Sequence, residues 1–384
     1  MRARDLGIGI GIGILAPGPL NAITDVAGVR VGHATLIDGD GPLVVGSGPV
    51  RTGVTVVLPH EGDVGVEPIF AGSHTLNGNG ELTGLEWVRE SGMLTTPIAL
   101  TNTHSVGVVR DALVAASVRK APADRPRWSL PVVGETWDGY LNDIDGQHVT
   151  AEHLFAALLD ARGGAVAEGC VGAGTGTKAY GFKAGIGSAS RSVAPEDGGF
   201  TVGVLVQANH GTRQRLAVDG VPVGREIGYD EVPGVPSTTT APPAAPPTAG
   251  RAEGGGSIIV VVATDAPLLP HQCRRLAQRA SLAIARAGGG GEHSSGDFVI
   301  AFATGNRGLL PEDASATPAT MGLTMLVDDH VNDVFWAAIE ATEEAILNSL
   351  LAATTMTGRD GITIHAMPHD RLREVMDRYG RRPS

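Results

Sequence analysis

The stretch GGGSIIVVVATDAPLL, residues 254–269, runs from a glycine repeat directly into a long apolar segment. Residues 258–263 are dominated by β-branched side chains, which predicts a buried β-strand. Residues 235–256 before it are rich in Pro, Ala, Thr and Gly, and their paired prolines exclude a helix or a central strand. We therefore expect a flexible linker over 235–256 and Ser257 at the first position of a core strand.

The other apolar segments are of two kinds. Short β-branched runs bounded by Gly, Pro and polar residues predict strands, and segments with apolar residues at three- or four-residue steps predict helices. The predicted strands are 54–58, 98–100, 201–206 and 298–304, and the predicted helices are 150–162, 268–287 and 328–353. This alternation predicts an α/β protein.

Composition and charge restrict the class of protein. A chain of 384 residues with 42% hydrophobic and 18% charged residues can bury a substantial core. Its formal charge of -12 argues against nucleic-acid binding, which needs clustered Lys and Arg. No apolar run reaches the roughly 18 to 20 residues of a membrane span. The two cysteines, Cys170 and Cys273, form no C-x-x-C motif, so we expect a cytoplasmic protein without a disulfide framework.

A serine that follows glycine can become a nucleophile if the peptide bond before it is cut. Cleavage between Gly256 and Ser257 would leave Ser257 with its hydroxyl and a new α-amine, whose pKa of about 8 suits it to accept the hydroxyl proton. The Ser257 hydroxyl could make this cut by attacking the Gly256 carbonyl. Glycine helps because it lacks a Cβ and tolerates strained dihedral angles. By itself, a Gly-Ser pair after such a linker also fits a turn or an interdomain tether.

Six motifs follow one another along most of the chain. They are NAITDVAGVRVGH at 21–33, RTGVT at 51–55, LNGNGELTG at 76–84, TNTHSVG at 101–107, GETWDGYLND at 134–143 and GSIIVVVATDAPL at 256–268. Together they resemble the DmpA family of L-aminopeptidase D-amidase/D-esterases and β-peptidyl aminopeptidases. The resemblance implies a single domain, 1–384, folded as a four-layer αββα sandwich similar to that of N-terminal-nucleophile hydrolases. It also implies self-cleavage into an α chain, 1–256, and a β chain, 257–384, that stay together.

The same resemblance assigns catalytic roles after the cleavage site. Ser257 corresponds to the nucleophile, and Ser295 and Asp297 correspond to a serine and an acidic residue two positions apart. Ser295 can relay hydrogen bonds to Ser257, while the Asp297 carboxylate orients Ser295 and compensates developing positive charge. Asp297 is one methylene shorter than the Glu of some β-aminopeptidases, which leaves a preference for β-amino substrates open.

Three residues before the cleavage site correspond to positions that contact the substrate. Asn209 matches an oxyanion donor, Glu135 matches the acidic residue that holds a free ammonium, and Trp137 falls where an aromatic wall is expected. The implied substrate is a small peptide or an amino-acid amide. The implied assembly is a homo-oligomer, a tetramer of αβ units, and we expect no cofactor.

Other interpretations explain less of the sequence. The glycine-rich segment 172–178 lacks the ending of a phosphate loop and the spacing of a dinucleotide site. The histidines lack H-E-x-x-H spacing, so we expect no metal. Two classes remain open beside a hydrolase. One is an acyltransferase similar to ornithine acetyltransferases, whose nucleophile is usually Thr, and the other is a binding protein of the same fold that is never cleaved.

Overall fold

The structure is a computed structural model that describes residues 1–8, 12–120, 128–235, 255–311 and 318–381. Most of the predicted linker, residues 236–254, lies outside these ranges. Gly255 and Gly256 are described and already belong to the strand that contains Ser257. The prediction of a linker through residue 256 is therefore wrong at its C-terminal end.

Strands and helices alternate along the described chain. The strands are β1 (Arg30–Asp38), β2 (Val50–Leu58), β3 (Ile69–Gly78), β4 (Met93–Leu94), β5 (Ile98–Asn102), β6 (Val132–Thr136), β7 (Lys178–Ala179), β8 (Phe182–Lys183), β9 (Ile186–Ser192), β10 (Thr201–Asn209), β11 (Gly255–Thr264), β12 (Ser294–Ala303), β13 (Met356–Thr357) and β14 (Thr363–Ile364). The α-helices are α1 (Leu85–Ser91), α2 (Val106–Lys120), α3 (Ala151–Asp160), α4 (Val223–Glu226), α5 (Pro270–Arg286), α6 (Val331–Leu351) and α7 (His369–Arg378). None of these helices is long and apolar enough to cross a membrane.

The strands form two main sheets that lie face to face. One has the order β1-β2-β5-β6, and the other has the order β4-β3-β12-β11-β10-β9. Side chains of both sheets, among them Val57, Leu100, Val261 and Phe302, form one buried cluster between them. Helices α2 and α3 cover the outer face of the four-stranded sheet, and α5 and α6 cover that of the six-stranded sheet. The layers run helix, sheet, sheet, helix, and the predicted αββα sandwich is confirmed.

The central strand β11 positions Ser257. Its neighbours are β10, which is antiparallel, and β12, which is parallel. The side chains of residues 258, 260 and 262 pack toward the helices, whereas those of residues 259, 261 and 263 face the other sheet. Because successive side chains point to opposite faces of a strand, Ser257 lies on the face toward the other sheet. Gly255 and Gly256 pair with β12, so Ser257 is the third residue of the strand and not the first.

The predicted elements correspond to observed ones with shifted ends. Predicted helices 150–162, 268–287 and 328–353 become α3, α5 and α6, and predicted strands 54–58, 98–100, 201–206 and 298–304 become β2, β5, β10 and β12. The patterns did not indicate β9, because its sequence IGSASRS is dominated by Gly and Ser. They did not indicate α2 either, because its apolar residues are not confined to one face.

A buried ionic network joins the parts of the chain before and after residue 256. The Arg191 side chain on β9 is fully buried, and its guanidinium contacts Glu340 Oε2 at 3.2 Å and Glu344 Oε2 at 2.8 Å, both on α6. Arg4 binds the same Glu344, with an Nε–Oε1 distance of 2.9 Å. Buried charges are costly unless they are paired, so this arrangement ties α6 to the N-terminal part of the chain.

Candidate active site

A cleft of about 530 Å³ opens where β11 begins. Residues that precede and residues that follow position 256 in the chain line this cleft, so neither part of the chain forms it alone. The lining includes Glu81, Thr103, Glu135, Trp137, Gly256 and Ser257.

Ser257 is held between two neighbouring strands. It lies opposite Asn209 of β10 and beside Gly296 of β12, and only 6% of the residue is exposed. Its Oγ accepts a hydrogen bond of 3.2 Å from the Gly296 N–H. That donor orients a lone pair of the hydroxyl while leaving the Oγ proton available for transfer.

Gly256 is required for steric reasons. A Cβ at this position would lie 1.9 Å from the carbonyl oxygen of Asn209 on the neighbouring strand. The φ angle of Gly256 is outside the left-handed region, so the dihedral freedom expected from the sequence is not what selects glycine here. The missing Cβ allows β10 to approach the peptide bond before Ser257.

Ser295 and Asp297 form a buried hydrogen-bonded pair. The Ser295 Oγ donates to Asp297 Oδ1 at 2.6 Å, and both residues are 2% exposed. Burial raises the pKa of Asp297 to about 6, although hydrogen bonds from Ser295 and from the Ile258 N–H act in the opposite direction. The carboxylate thus holds both Ser295 and the backbone immediately after Ser257.

The structure arranges this pair differently from the predicted relay. The hydrogen-bond partner of Ser257 Oγ is the Gly296 N–H, whereas the Ser295 hydroxyl is directed to Asp297. Sequence reasoning missed Gly296. A Cβ there would lie 2.6 Å from the Asn79 carbonyl oxygen and 2.8 Å from Gly80 Cα. Glycine between Ser295 and Asp297 therefore lets the loop after β3 pack over the start of β12.

Asn209 has a fixed side-chain orientation. Its Oδ1 accepts a 3.0 Å hydrogen bond from the Lys178 N–H, and its Nδ2 donates at 2.9 Å to the carbonyl of Trp137, a residue that lines the cleft. Because the oxygen is engaged with Lys178, the two N–H groups are directed away from that side. The amide nitrogen has a second hydrogen that can donate to a developing oxyanion.

Glu135 supplies a buried carboxylate to the same cleft. The residue is 2% exposed, and its Oε1 accepts a 2.9 Å hydrogen bond from the Glu81 N–H while its Oε2 accepts from the Thr103 hydroxyl. Burial raises the pKa of Glu135, and these two hydrogen bonds act in the opposite direction. Glu81 and Thr103 lie in motifs quoted above, but only the fold shows that they contact Glu135.

Trp137 and Tyr140 form an aromatic wall of the cleft. Their rings meet edge to face, with centroids 4.9 Å apart. Trp137 is 38% exposed, which leaves part of the indole free to contact a ligand. A Cβ on Gly139 would lie 2.4 Å from the indole, so a larger residue between the two aromatic residues would displace the Trp137 ring. Sequence reasoning included Trp137 but not Tyr140.

The described residues that line the cleft include no histidine or lysine. His210 follows Asn209 but hydrogen-bonds the Tyr180 hydroxyl through Nε2 at 3.1 Å, and burial lowers its pKa to about 3. A Ser-His pair is therefore not available to Ser257 in this part of the chain. Within the same described ranges, no group of three or more His, Cys, Asp or Glu side chains could hold a metal ion.

Comparisons with known proteins agree along the whole chain. The model of peptidase family S58 matches residues 21–364. The chain is 48% identical to the β-peptidyl aminopeptidase BapA of Sphingosinicella microcystinivorans, over 99% of this chain and 93% of that protein. A β-aminopeptidase from Burkholderia sp. superposes with a TM-score of 0.89 at 52% identity, and all of both chains is covered. The L-aminopeptidase D-Ala-esterase/amidase of Ochrobactrum anthropi, a serine aminopeptidase with a variant of the Ntn-hydrolase fold, superposes with a TM-score of 0.86 at 42% identity over 99% of each chain.

Proposed function

Because the chain belongs to peptidase family S58, we propose that it cuts itself between Gly256 and Ser257 and then acts through an acyl-enzyme on Ser257. The predicted family is confirmed, and the protein is a hydrolase of the serine aminopeptidase and amidase type. The observation that carries the proposal is that the Ser257 hydroxyl and the buried Glu135 carboxylate line one cleft. A serine nucleophile beside a carboxylate that can bind a free ammonium group fits an aminopeptidase better than an acyltransferase or a binding protein.

The cleavage step uses groups that surround Ser257. Its Oγ attacks the carbonyl carbon of Gly256, the C–N bond breaks, and the nitrogen of Ser257 leaves as an amine that takes up the hydroxyl proton. The product is an ester between Gly256 and Ser257 Oγ, and water then releases the Gly256 carboxylate. The missing Cβ of Gly256 supports this step, because it lets β10 and Asn209 pack against the peptide bond that is cut.

Turnover reuses the new amino terminus. The α-amine of Ser257, with an ordinary pKa of about 8, accepts the Oγ proton as Oγ attacks the substrate carbonyl. Asn209 donates to the oxyanion, and the amine returns the proton to the leaving group. Water then hydrolyses the ester. The described residues that line the cleft include no histidine to act as the base, which supports this role for the amine.

A denaturing gel tests maturation of the parent protein. Two chains should appear, and N-terminal sequencing of the smaller one should begin at Ser257. A single chain of 39.3 kDa, or a smaller chain that begins at another residue, would contradict cleavage at this bond.

The two chains should remain associated after cleavage as a single domain. The buried contacts of Arg191 with Glu340 and Glu344 support this, because they cross from the α chain to the β chain. Removing one partner from a buried ion pair typically costs about 3–5 kcal/mol, so separation of the chains would be strongly unfavourable.

Assembly into a tetramer of αβ units is also part of the proposal. Every second residue of 321–327 is apolar and exposed, which is unusual for a surface that faces only water. These residues are Met321, Leu323, Met325 and Val327. Light scattering of the purified protein should give about four times 39.3 kDa, and a mass near 39.3 kDa would exclude a tetramer.

Glu135→Gln should weaken the use of free-amine substrates far more than it affects maturation. Glutamine removes the negative charge that pairs with the substrate ammonium, and a lost charged hydrogen bond of about 1.5–3 kcal/mol corresponds to a roughly 10- to 100-fold rise in KM. The precursor offers no free amine at Gly256. Cleavage is followed on a gel, and KM is measured with an amino-acid p-nitroanilide.

Acidity should affect KM in the same direction as Glu135→Gln. Because the pKa of Glu135 is raised, its carboxylate takes up a proton at a higher pH than an ordinary glutamate does. The protonated carboxyl no longer pairs with the substrate ammonium, so KM should rise as pH falls through the pKa of Glu135. The Gln variant should lack that dependence. Equal losses in maturation and turnover would instead assign Glu135 a structural role.

A cytoplasmic location completes the proposal. Cys170 and Cys273 are both unpaired, which is compatible with a reducing compartment. Fractionation of the producing cells would locate the mature chains, and their recovery from an extracytoplasmic fraction would contradict this assignment.

A further inference from the structure

The hairpin formed by β13 and β14 lies against the loop that carries the aromatic wall. The Nε of Arg359, in the turn of this hairpin, donates a 2.7 Å hydrogen bond to the carbonyl of Gly139. The backbone N–H of Arg359 donates at 3.0 Å to the carbonyl of Leu141. Two carbonyls of the loop between residues 137 and 143 are thus held by one residue from the C-terminal end of the chain.

The turn of the hairpin is itself fixed in place. A Cβ on Gly358 would lie 2.1 Å from the Leu141 carbonyl oxygen, so this approach requires glycine. The Asp360 N–H donates to the Gly41 carbonyl at 2.8 Å, and Asp360 Oδ1 accepts from the Leu43 N–H at 2.8 Å. The backbone that carries the Arg359 side chain is therefore held by Leu141 on one side and by residues 41 and 43 on the other.

The RTGVT motif supports the same junction. Arg51 donates through Nε to the Thr357 carbonyl at 2.9 Å, and its backbone N–H donates to Asn142 Oδ1 at 2.9 Å. The Asn142 side chain in turn donates to Asp138 Oδ1 at 3.0 Å. Arg51 thus connects the hairpin to Asn142, beyond the two aromatic residues, whereas Arg359 binds Gly139, which lies between them.

We propose that Arg359 is a positioning residue for substrate recognition, which it serves by fixing Gly139 and thereby the wall of Trp137 and Tyr140. The close packing of Gly139 against the indole means that a displaced Gly139 would displace Trp137. In the cleaved protein this contact joins the two chains, so the β chain supplies the nucleophile and also shapes the substrate site. The inference rests on the proposed role of Trp137 in contacting the substrate.

A double-mutant cycle on the matured enzyme tests this role. Arg359→Ala removes the side-chain hydrogen bond but retains the backbone contact with Leu141, so the variant should fold and be cleaved. Its KM for an amino-acid p-nitroanilide should rise about tenfold, the equivalent of one charged hydrogen bond, while kcat changes by less than about threefold. In a Trp137→Ala background, Arg359→Ala should raise KM little further, because both changes act on the same wall.

The matched control is Arg371→Ala. Arg371 also belongs to the C-terminal part of the chain, and it binds Glu231 of the N-terminal part at 3.0 Å without lining the cleft. Its replacement should leave KM unchanged. If Trp137→Ala raises KM but Arg359→Ala does not, or if the two effects multiply, the positioning role is wrong. If Trp137→Ala itself leaves KM unchanged, the wall assigned in the proposed function is wrong, and the role of Arg359 fails with it.

Discussion

Ser257→Ala should leave the protein as one chain of 39.3 kDa with no measurable aminopeptidase activity. The substitution removes the only atom of this residue that can attack the Gly256 carbonyl, and without cleavage no α-amine forms to serve as base. Removing a serine nucleophile elsewhere lowers kcat by about a millionfold, and a loss of that size is expected here. A denaturing gel and an amino-acid p-nitroanilide assay measure the two effects.

The Ser257→Ala protein must be shown to fold, so that a loss of cleavage can be assigned to the missing hydroxyl. The Ser257 hydroxyl accepts one hydrogen bond from the Gly296 N–H, so its loss should cost little stability, about 1 kcal/mol. Ser281→Ala is the matched control, because the hydroxyl of this serine donates to the Gln278 carbonyl within α5 and should not alter cleavage. Cleavage that persists in a folded Ser257→Ala protein would assign the nucleophile to another residue.

Asp297→Asn should slow acylation by about two to four orders of magnitude in matured enzyme. The carboxylate accepts hydrogen bonds from Ser295 and from the Ile258 N–H, and an amide has only one oxygen with which to accept them. Loss of the negative charge also removes compensation for the protonated amine of Ser257. Single-turnover acylation of a p-nitroanilide measures the rate, and circular dichroism verifies folding.

The pH profile of the parent enzyme provides an independent measurement. Burial raises the pKa of Asp297 to about 6, so the active carboxylate is present above that pH and is lost as pH falls through it. Protonation of the Ser257 amine should already lower the acylation rate of the parent below about pH 8. The parent should show a further loss as Asp297 is protonated, and the Asn variant should lack this second loss. An Asn variant that folds and acylates as fast as the parent would reduce Asp297 to a turn residue.

Asp297→Glu addresses substrate preference. Two relatives are named β-peptidyl aminopeptidases, and the Asp297 side chain is one methylene shorter than that of glutamate. If glutamate maintains or raises the rate with β-amino substrates, the charge matters more than the reach of the side chain. The aspartate would then not count against activity on β-amino acyl groups.

Local sequence alone indicated several of the core strands, and the resemblance of its ordered motifs to a known family indicated the candidate site residues. An apolar run such as 258–263 indicates a buried strand without knowledge of its neighbours, because burial and β-branching are local properties. The triple glycine before Ser257 likewise indicated an unusual junction. The ordered motifs made Ser257, Glu135 and Asp297 candidate site residues, since residue types at fixed spacing can be matched to those of a family without a structure.

Only the tertiary structure decided which groups those residues contact. The Gly296 N–H beside Ser257, the Thr103 hydroxyl on Glu135 and the Arg359 guanidinium on Gly139 all come from distant parts of the chain. A periodic pattern tells which face of a strand is buried, but it does not tell which strand lies beside it. Strand neighbours and loop contacts follow from packing both sheets and their helices at once, so the cleft exists only after the whole chain has folded.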